Sequence, residues 1–159
     1  MNEGLIIAII IGISIASVPL IFAAIGELLV ERSGVLNLGV EGMMIVGALA
    51  GFVIEFHTGS SFLAVLAALL AGMAIASIFA FLTQILLTNH VATGLALTLF
   101  GLGIAAFVGR SYTEENIELI SALHIPVLSD LPIIGPLLFS YNPLVYLAFV
   151  MVFLVWWFL

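Results

Sequence analysis

Five long apolar runs separated by short polar breaks account for most of this chain. The first, Leu5 to Gly26, carries no charge and has Pro19 inside it. A helix needs about 20 mostly apolar residues to cross a bilayer, and this run meets that length. A proline in mid-helix removes one backbone donor, so a kink is expected at Pro19. The second run extends from Leu38 to Phe56, with Glu41 near its start and Glu55 near its end. The third, Phe62 to Leu87, is the longest and is uncharged. The fourth, Val91 to Val108, follows a break at Asn89-His90, and the fifth starts near Pro143 and continues to Leu159. The pattern predicts an all-α fold, a polytopic transmembrane helix bundle of about five helices.

Between Arg110 and Asn142 lies one polar-leaning segment, holding Glu114, Glu115, Glu118 and Asp130 with Pro126, Pro132 and Pro136. Its middle is amphipathic, and an ordered external loop is expected, with a short helix on the surface; a solvated connector is the plainer reading. Small residues mark the helix contacts. Ala64, Ala68, Gly72, Ala76 and Ala80 recur every fourth residue, and Gly47 and Gly51 form a GxxxG pair. Smooth stripes let helix backbones approach closely in lipid, so these seven positions are the expected packing surface of a compact bundle.

Composition agrees. The chain of 159 residues is 65% hydrophobic and 7% charged, with a mean hydropathy of +1.44. A soluble domain is about a quarter charged, so this chain uses lipid as its solvent. The formal charge of -7 comes from a few polar stretches. With no cysteine, disulfide and thiolate-metal chemistry are excluded. With no lysine, a Walker A loop is excluded too, so ATP is not bound by that route. His57, His90 and His124 stand in separate breaks, and no metal site is expected. No nucleophile-base-acid arrangement is visible, and the chain is not expected to be an enzyme. Arg32 and Arg110 are its only cations, and no nucleic-acid partner is expected. Keeping Arg32 in the cytoplasm places the N-terminus, His57 to Ser61 and the acidic segment outside, and Asn89-His90 inside.

The stretch "ERSGVLNLGVEGMM" sets charges between two apolar runs. Glu27 and Glu31 lie four apart where the first helix ends, the unfavourable end of the dipole for anions. They are expected to face a basic surface or a polar cavity outside this segment, or else to be hydrated at the membrane edge. Asn37 and Glu41 suit the start of the second helix, as N-cap and first-turn acid. Glu41 also has a functional reading, as an acid below the interface that lines a solute path.

Three blocks, "GELLVERSGVLNLGVEGMMIVGALAGF", "NHVATGLALTLFGLGIAAFVGR" and "IPVLSDLPIIGPLLFSYNPLVYLAF", together resemble bacterial ABC-transporter permease subunits. The branch is that of branched-chain amino acid and simple-sugar importers, closest to nucleoside or simple-sugar uptake permeases. The resemblance runs from about Pro19 to the end of the chain. It implies a multi-pass protein of the bacterial cytoplasmic membrane, paired with a second, different permease. A separate ATPase would hold ATP and Mg, and an extracytoplasmic solute-binding lipoprotein would deliver the solute. It also implies that the region "NLGVEGMM" lies at the core of the permease. Family members usually carry Gln where this chain has His90, so no proton-sensitive role carries over to it. Members are about twice as long, and residues 1–159 are expected to be the N-terminal half of a transmembrane permease domain, truncated before the part that couples to ATP.

The expected substrate pathway residues are Asn37, Glu41, Asn89 and Thr93, and the receptor-side loop is Glu114, Glu115, Glu118 and Asp130. The function expected is uptake of a nucleoside or a related small polar solute such as a simple sugar. Two other classes compete: an ion-coupled carrier or channel titrating at Glu41 or Glu27, and a structural membrane subunit that only packs.

Overall fold

The computed structural model describes residues 3–117, 120–123, 126, 135 and 138–159. These are helical wherever they are regular. Helix α1 spans Glu3–Arg32, α2 Val40–Thr58, α3 Ser61–Ala80, α4 His90–Gly109 and α5 Pro143–Phe158. A π-helical turn, Phe81–Ile85, extends α3, and a 3-10 turn, Arg110–Tyr112, extends α4. Four of these helices are long and apolar enough to cross a membrane, and α5 is shorter.

The ends follow local chemistry. Asn89 caps α4, its side chain accepting from the Ala92 amide at 3.0 Å. Asn142 caps α5 in the same way through Val145 at 3.2 Å, with Pro143 in the first turn, where a missing amide costs nothing. Gly59 ends α2 in the left-handed conformation, φ 61°, and its amide returns to the Glu55 carbonyl. α3 ends differently: its π turn is followed by Leu87 at φ 53°, a left-handed conformation that a leucine adopts at a cost. The unbroken third run of the sequence therefore ends in a non-α turn.

Two boundaries differ from the sequence reading. α1 continues through Pro19 to Arg32, which puts Glu27 and Glu31 within the helix. Asn37 is not the N-cap of α2: Gly39 holds that position, without a side-chain cap. Asn37 instead folds its Oδ1 onto the Gly39 amide at 2.9 Å, an Asx turn leading into the helix.

The chain divides into two compact units. In one, the part of α1 up to Gly26 packs on α5 through Val18, Tyr141, Val145 and Ala148. A groove of about 170 Å³ lies there, lined by Ser14, Ser17, Val18, Ile21, Val145, Ala148 and Phe149. Its two serines donate to carbonyls one turn back, Ile10 and Ile13, which leaves a mainly apolar lining.

The other unit, Glu27–Leu119, contains α2, α3 and α4. α2 and α3 run antiparallel in close contact: a β-carbon added at Gly47 would stand 3.1 Å from the Ala68 carbonyl, and one at Gly51 3.3 Å from the Ala64 carbonyl. Ile75, Phe79 and Leu97 form the buried cluster beyond, with Val35, Met43 and Val46 against it.

The small-residue stripe of α3 does not stay on this contact. Ala64 and Ala68 face α2, a β-carbon at Gly72 would meet nothing within 4 Å, and Ala76 and Ala80 are exposed in this chain. The reason is helical geometry. At 3.6 residues per turn a four-residue step advances about 40° too far, so a stripe of five members drifts about 160° around the helix. Within this chain Ile75 and Phe79 are the buried residues of that part of α3.

Candidate functional site

α2 and α4 run parallel and meet backbone to backbone. A β-carbon at Gly42 would lie 2.6 Å from the Leu97 carbonyl oxygen and 2.7 Å from the Thr98 Cα. One at Gly94 would lie 2.8 Å from the amide nitrogens of both Leu38 and Gly39, and one at Gly101 2.7 Å from the Gly42 carbonyl. No real side chain tolerates such distances to backbone. Glycine is needed at all three positions because the helices cross without a layer of side chains between them.

This close approach seats a non-helical strip, Asn37 to Gly39, against α4. Backbone outside a helix must find partners for its polar groups elsewhere, and here three of the strip's groups bond to side chains and a fourth to the α2 backbone. The Asn37 amide donates to Glu27 Oε1 at 3.0 Å. The Leu38 carbonyl accepts from Thr98 Oγ1 at 2.9 Å across 60 residues of sequence. The Gly39 amide donates to Asn37 Oδ1, and the Gly39 carbonyl accepts from the Met43 amide at 3.1 Å. Asn37 is buried, and its Nδ2 points to Met43 Sδ at 3.8 Å.

Of the expected pathway residues, Asn37 is therefore inside the α1–α2–α4 junction. Glu41 lies in the first turn of α2 with its side chain exposed and no hydrogen bond among the described residues. Asn89 is occupied in capping α4. Thr93 pairs its hydroxyl with that of Thr88 at 2.8 Å, one residue from the Gly94 contact. The strip at Asn37 thus adjoins the first turns of α4.

Glu27 departs from its expected role. One carboxylate oxygen turns back on the Asn37 amide rather than toward an outside surface, and the other is buried with no hydrogen-bond partner. Glu31 remains exposed. At the opposite end of α2, Glu55 is buried, accepts from Ser61 Oγ at 3.1 Å and also keeps one buried oxygen unpartnered.

His57 and Tyr112 bring the C-terminal ends of α2 and α4 together, with Nε2 and the phenol oxygen 3.1 Å apart. Phe52 and Phe56 lie edge-on to Tyr112. Glu114 and Glu115 follow, both exposed, whereas Glu118, His124 and Asp130 lie outside the described residues, as does most of the expected surface helix. Among the described residues no group of His, Cys, Asp or Glu side chains gathers to hold a metal ion.

Sequence reasoning missed Thr98, Gly94, Gly101 and the Glu27–Asn37 bond. The glycines did leave a signal, since Gly94 and Gly101 are seven apart, two turns along one face. Thr98 left none, because a threonine in an apolar helix ordinarily bonds its own backbone.

A set of long apolar helices that cross on glycine, with few buried polar side chains among the described residues, is the build of a multi-pass membrane protein. The chain belongs to the branched-chain amino acid transport system permease component family, whose model matches residues 9–159. A protein of Haloferax volcanii named for glucose ABC transporter permease activity is 43% identical over 148 residues, covering 91% of this chain and 45% of that protein. The nucleoside ABC transporter permease protein of Lactococcus lactis is 33% identical over 154 residues, 90% of this chain and 49% of its own length. The guanosine ABC transporter permease protein of Bacillus subtilis is 32% identical over 133 residues, 77% and 42% respectively. The chain therefore spans about half the length of these relatives. No solved structure matches it.

Proposed function

We propose that this chain forms part of the membrane-spanning permease of an ATP-binding-cassette importer, carrying a nucleoside or a simple sugar across the cytoplasmic membrane. The observation that carries this reading is the likeness over most of the chain to permeases named for glucose, nucleoside and guanosine transport. Those solutes share a small, polar, hydroxyl-bearing body. The chain contributes no chemistry to ATP, which it has no lysine to hold in a Walker A loop. ATP and Mg belong to a partner ATPase. A second permease completes the pathway, and a solute-binding lipoprotein delivers the solute on the side of Glu114 and Glu115.

In this reading the solute passes beside the junction of Asn37, Glu41 and the first turns of α4, where polar groups interrupt the apolar bundle. Transport is then alternating access driven by the partner, with binding and release but no bond made or broken in the solute.

Deletion of the encoding gene, followed by uptake of labelled guanosine and labelled glucose, tests this. Loss of ATP-dependent uptake of one of the two is the expected result. Uptake that survives ATP depletion but collapses with a protonophore points to an ion-coupled carrier and overturns the proposal.

A further inference from the structure

The Glu27 carboxylate is the least economical feature of the junction. Accepting one backbone amide requires a single oxygen, yet a whole carboxylate is drawn in, and its second oxygen is buried without a partner. Buried polar atoms left unsatisfied are costly and few. Where a chain keeps one, the local rule has been broken in favour of something else, and functional sites are where such breaks concentrate. What the carboxylate holds is specific. The Asn37 amide lies outside any helix, and among the described residues it has no other acceptor. The same strip is held from the other side by Thr98, and Gly94 and Gly42 leave no room for it to shift toward α4. Glu27 and Thr98 thus reach the strip from helices ten and sixty positions away in sequence.

We propose that Glu27 is a positioning residue of the permease: by holding the Asn37 amide it sets the register of the strip Asn37–Gly39, and with it the place of Asn37 and of the first turn of α2 beside the solute path. The inference rests on the transport reading above for its consequence, though not for its geometry. Its chemistry is that of an acceptor rather than of a charge. Glutamine at 27 keeps an oxygen for the Asn37 amide, and alanine does not.

Residues 1–159 have no cysteine; any cysteine elsewhere in the permease is first replaced by serine, and the permease without the probe serves as the labelling blank. Val35 packs against the Ile75, Phe79 and Leu97 cluster just before the strip. The complete permease carrying Val35→Cys, in its membrane, is labelled with a water-soluble maleimide alone and with Glu27→Ala or Glu27→Gln. Uptake of labelled guanosine and glucose is measured for the Glu27 variants without the probe. Losing one hydrogen bond to a carboxylate corresponds to roughly a tenfold change. Glu27→Ala should therefore label Val35→Cys about tenfold faster and raise the KM for the transported probe by a similar factor at unchanged protein abundance, and Glu27→Gln should restore both. Labelling at the parent rate in Glu27→Ala overturns the proposal. So does a glutamine variant as loose as the alanine one, or a loss of uptake through abundance alone with KM unchanged. If the parent takes up neither solute, the transport reading fails, and the labelling comparison still decides whether Glu27 holds the strip.

Discussion

Gly42 and Gly101 touch through their backbones: a β-carbon built on Gly101 would fall 2.8 Å from the Gly42 Cα. That contact fixes the parallel crossing of α2 and α4, and the strip Asn37–Gly39 lies at its edge. Adding one methyl group at either glycine forces the helices apart. Gly42→Ala and Gly101→Ala are each expected to destabilise the protein by about 1–3 kcal/mol, the range for overpacking a tight interior. Gly72→Ala, in open space, should be neutral or slightly stabilising, since alanine is the better helix former by about 1 kcal/mol. Thermal unfolding in detergent of the three variants checks the contrast, and equal losses at all three would reject the crossing.

Thr98 offers a second test. Its hydroxyl is the donor to the Leu38 carbonyl, and valine has the same shape without that donor. Thr98→Val should cost about 1 kcal/mol, modest because such bonds in membranes average well under their ideal worth. Thr98→Ser should recover most of it. A valine variant with unchanged stability would show that the carbonyl finds another donor.

The α2–α3 packing is testable by cross-linking in this cysteine-free chain. A β-carbon at Gly51 lies 3.3 Å from that of Ala68, close to the spacing of about 3.5–4.5 Å that a disulfide spans. The double variant Gly51→Cys with Ala68→Cys should form an intramolecular disulfide under mild oxidation. Gly72→Cys with Ala68→Cys, both on α3, serves as the control that should not. Failure of the first pair would place the two helices in another register.

Leu87 carries a left-handed backbone with its side chain 81% exposed. Strain of about 1–2 kcal/mol is expected for a leucine there, and little packing is lost on removing the side chain. Leu87→Gly should therefore raise stability, by up to about 1 kcal/mol after the entropy lost by glycine is counted. Denaturation that shows the glycine variant weaker would mean that Leu87 is packed in the assembled protein.

Much of this architecture was legible in the sequence. The apolar runs located the long helices, and the break at Asn89-His90 marked the start of α4, while the cap that Asn89 makes there came only from the structure. Asn37 misled because its residue type suits both a cap and an Asx turn, and only the path of the chain distinguishes them. The stripe from Ala64 to Ala80 meets α2 only at Ala64 and Ala68, because spacing by four residues describes a spiral rather than a face. The role of Glu27 was not legible because its partner is a backbone amide ten residues onward, which only the path of the chain after α1 brings within reach.

By itself the sequence determined that lipid is the solvent, that its apolar runs span as helices, and to which family the chain belongs. Few charges and long apolar runs admit no other solution, since a backbone in hydrocarbon must satisfy its own hydrogen bonds. Which face each helix buries was decided by tertiary structure alone. In water an apolar stripe marks the inward side, but these helices are apolar all around, and contact with lipid is as favourable as contact with leucine. The choice then falls to close backbone approach and to a few polar bonds. Gly42 against Gly101, Thr98 to Leu38 and Glu27 to Asn37 join residues far apart in the chain, and those pairings exist only once the helices have met.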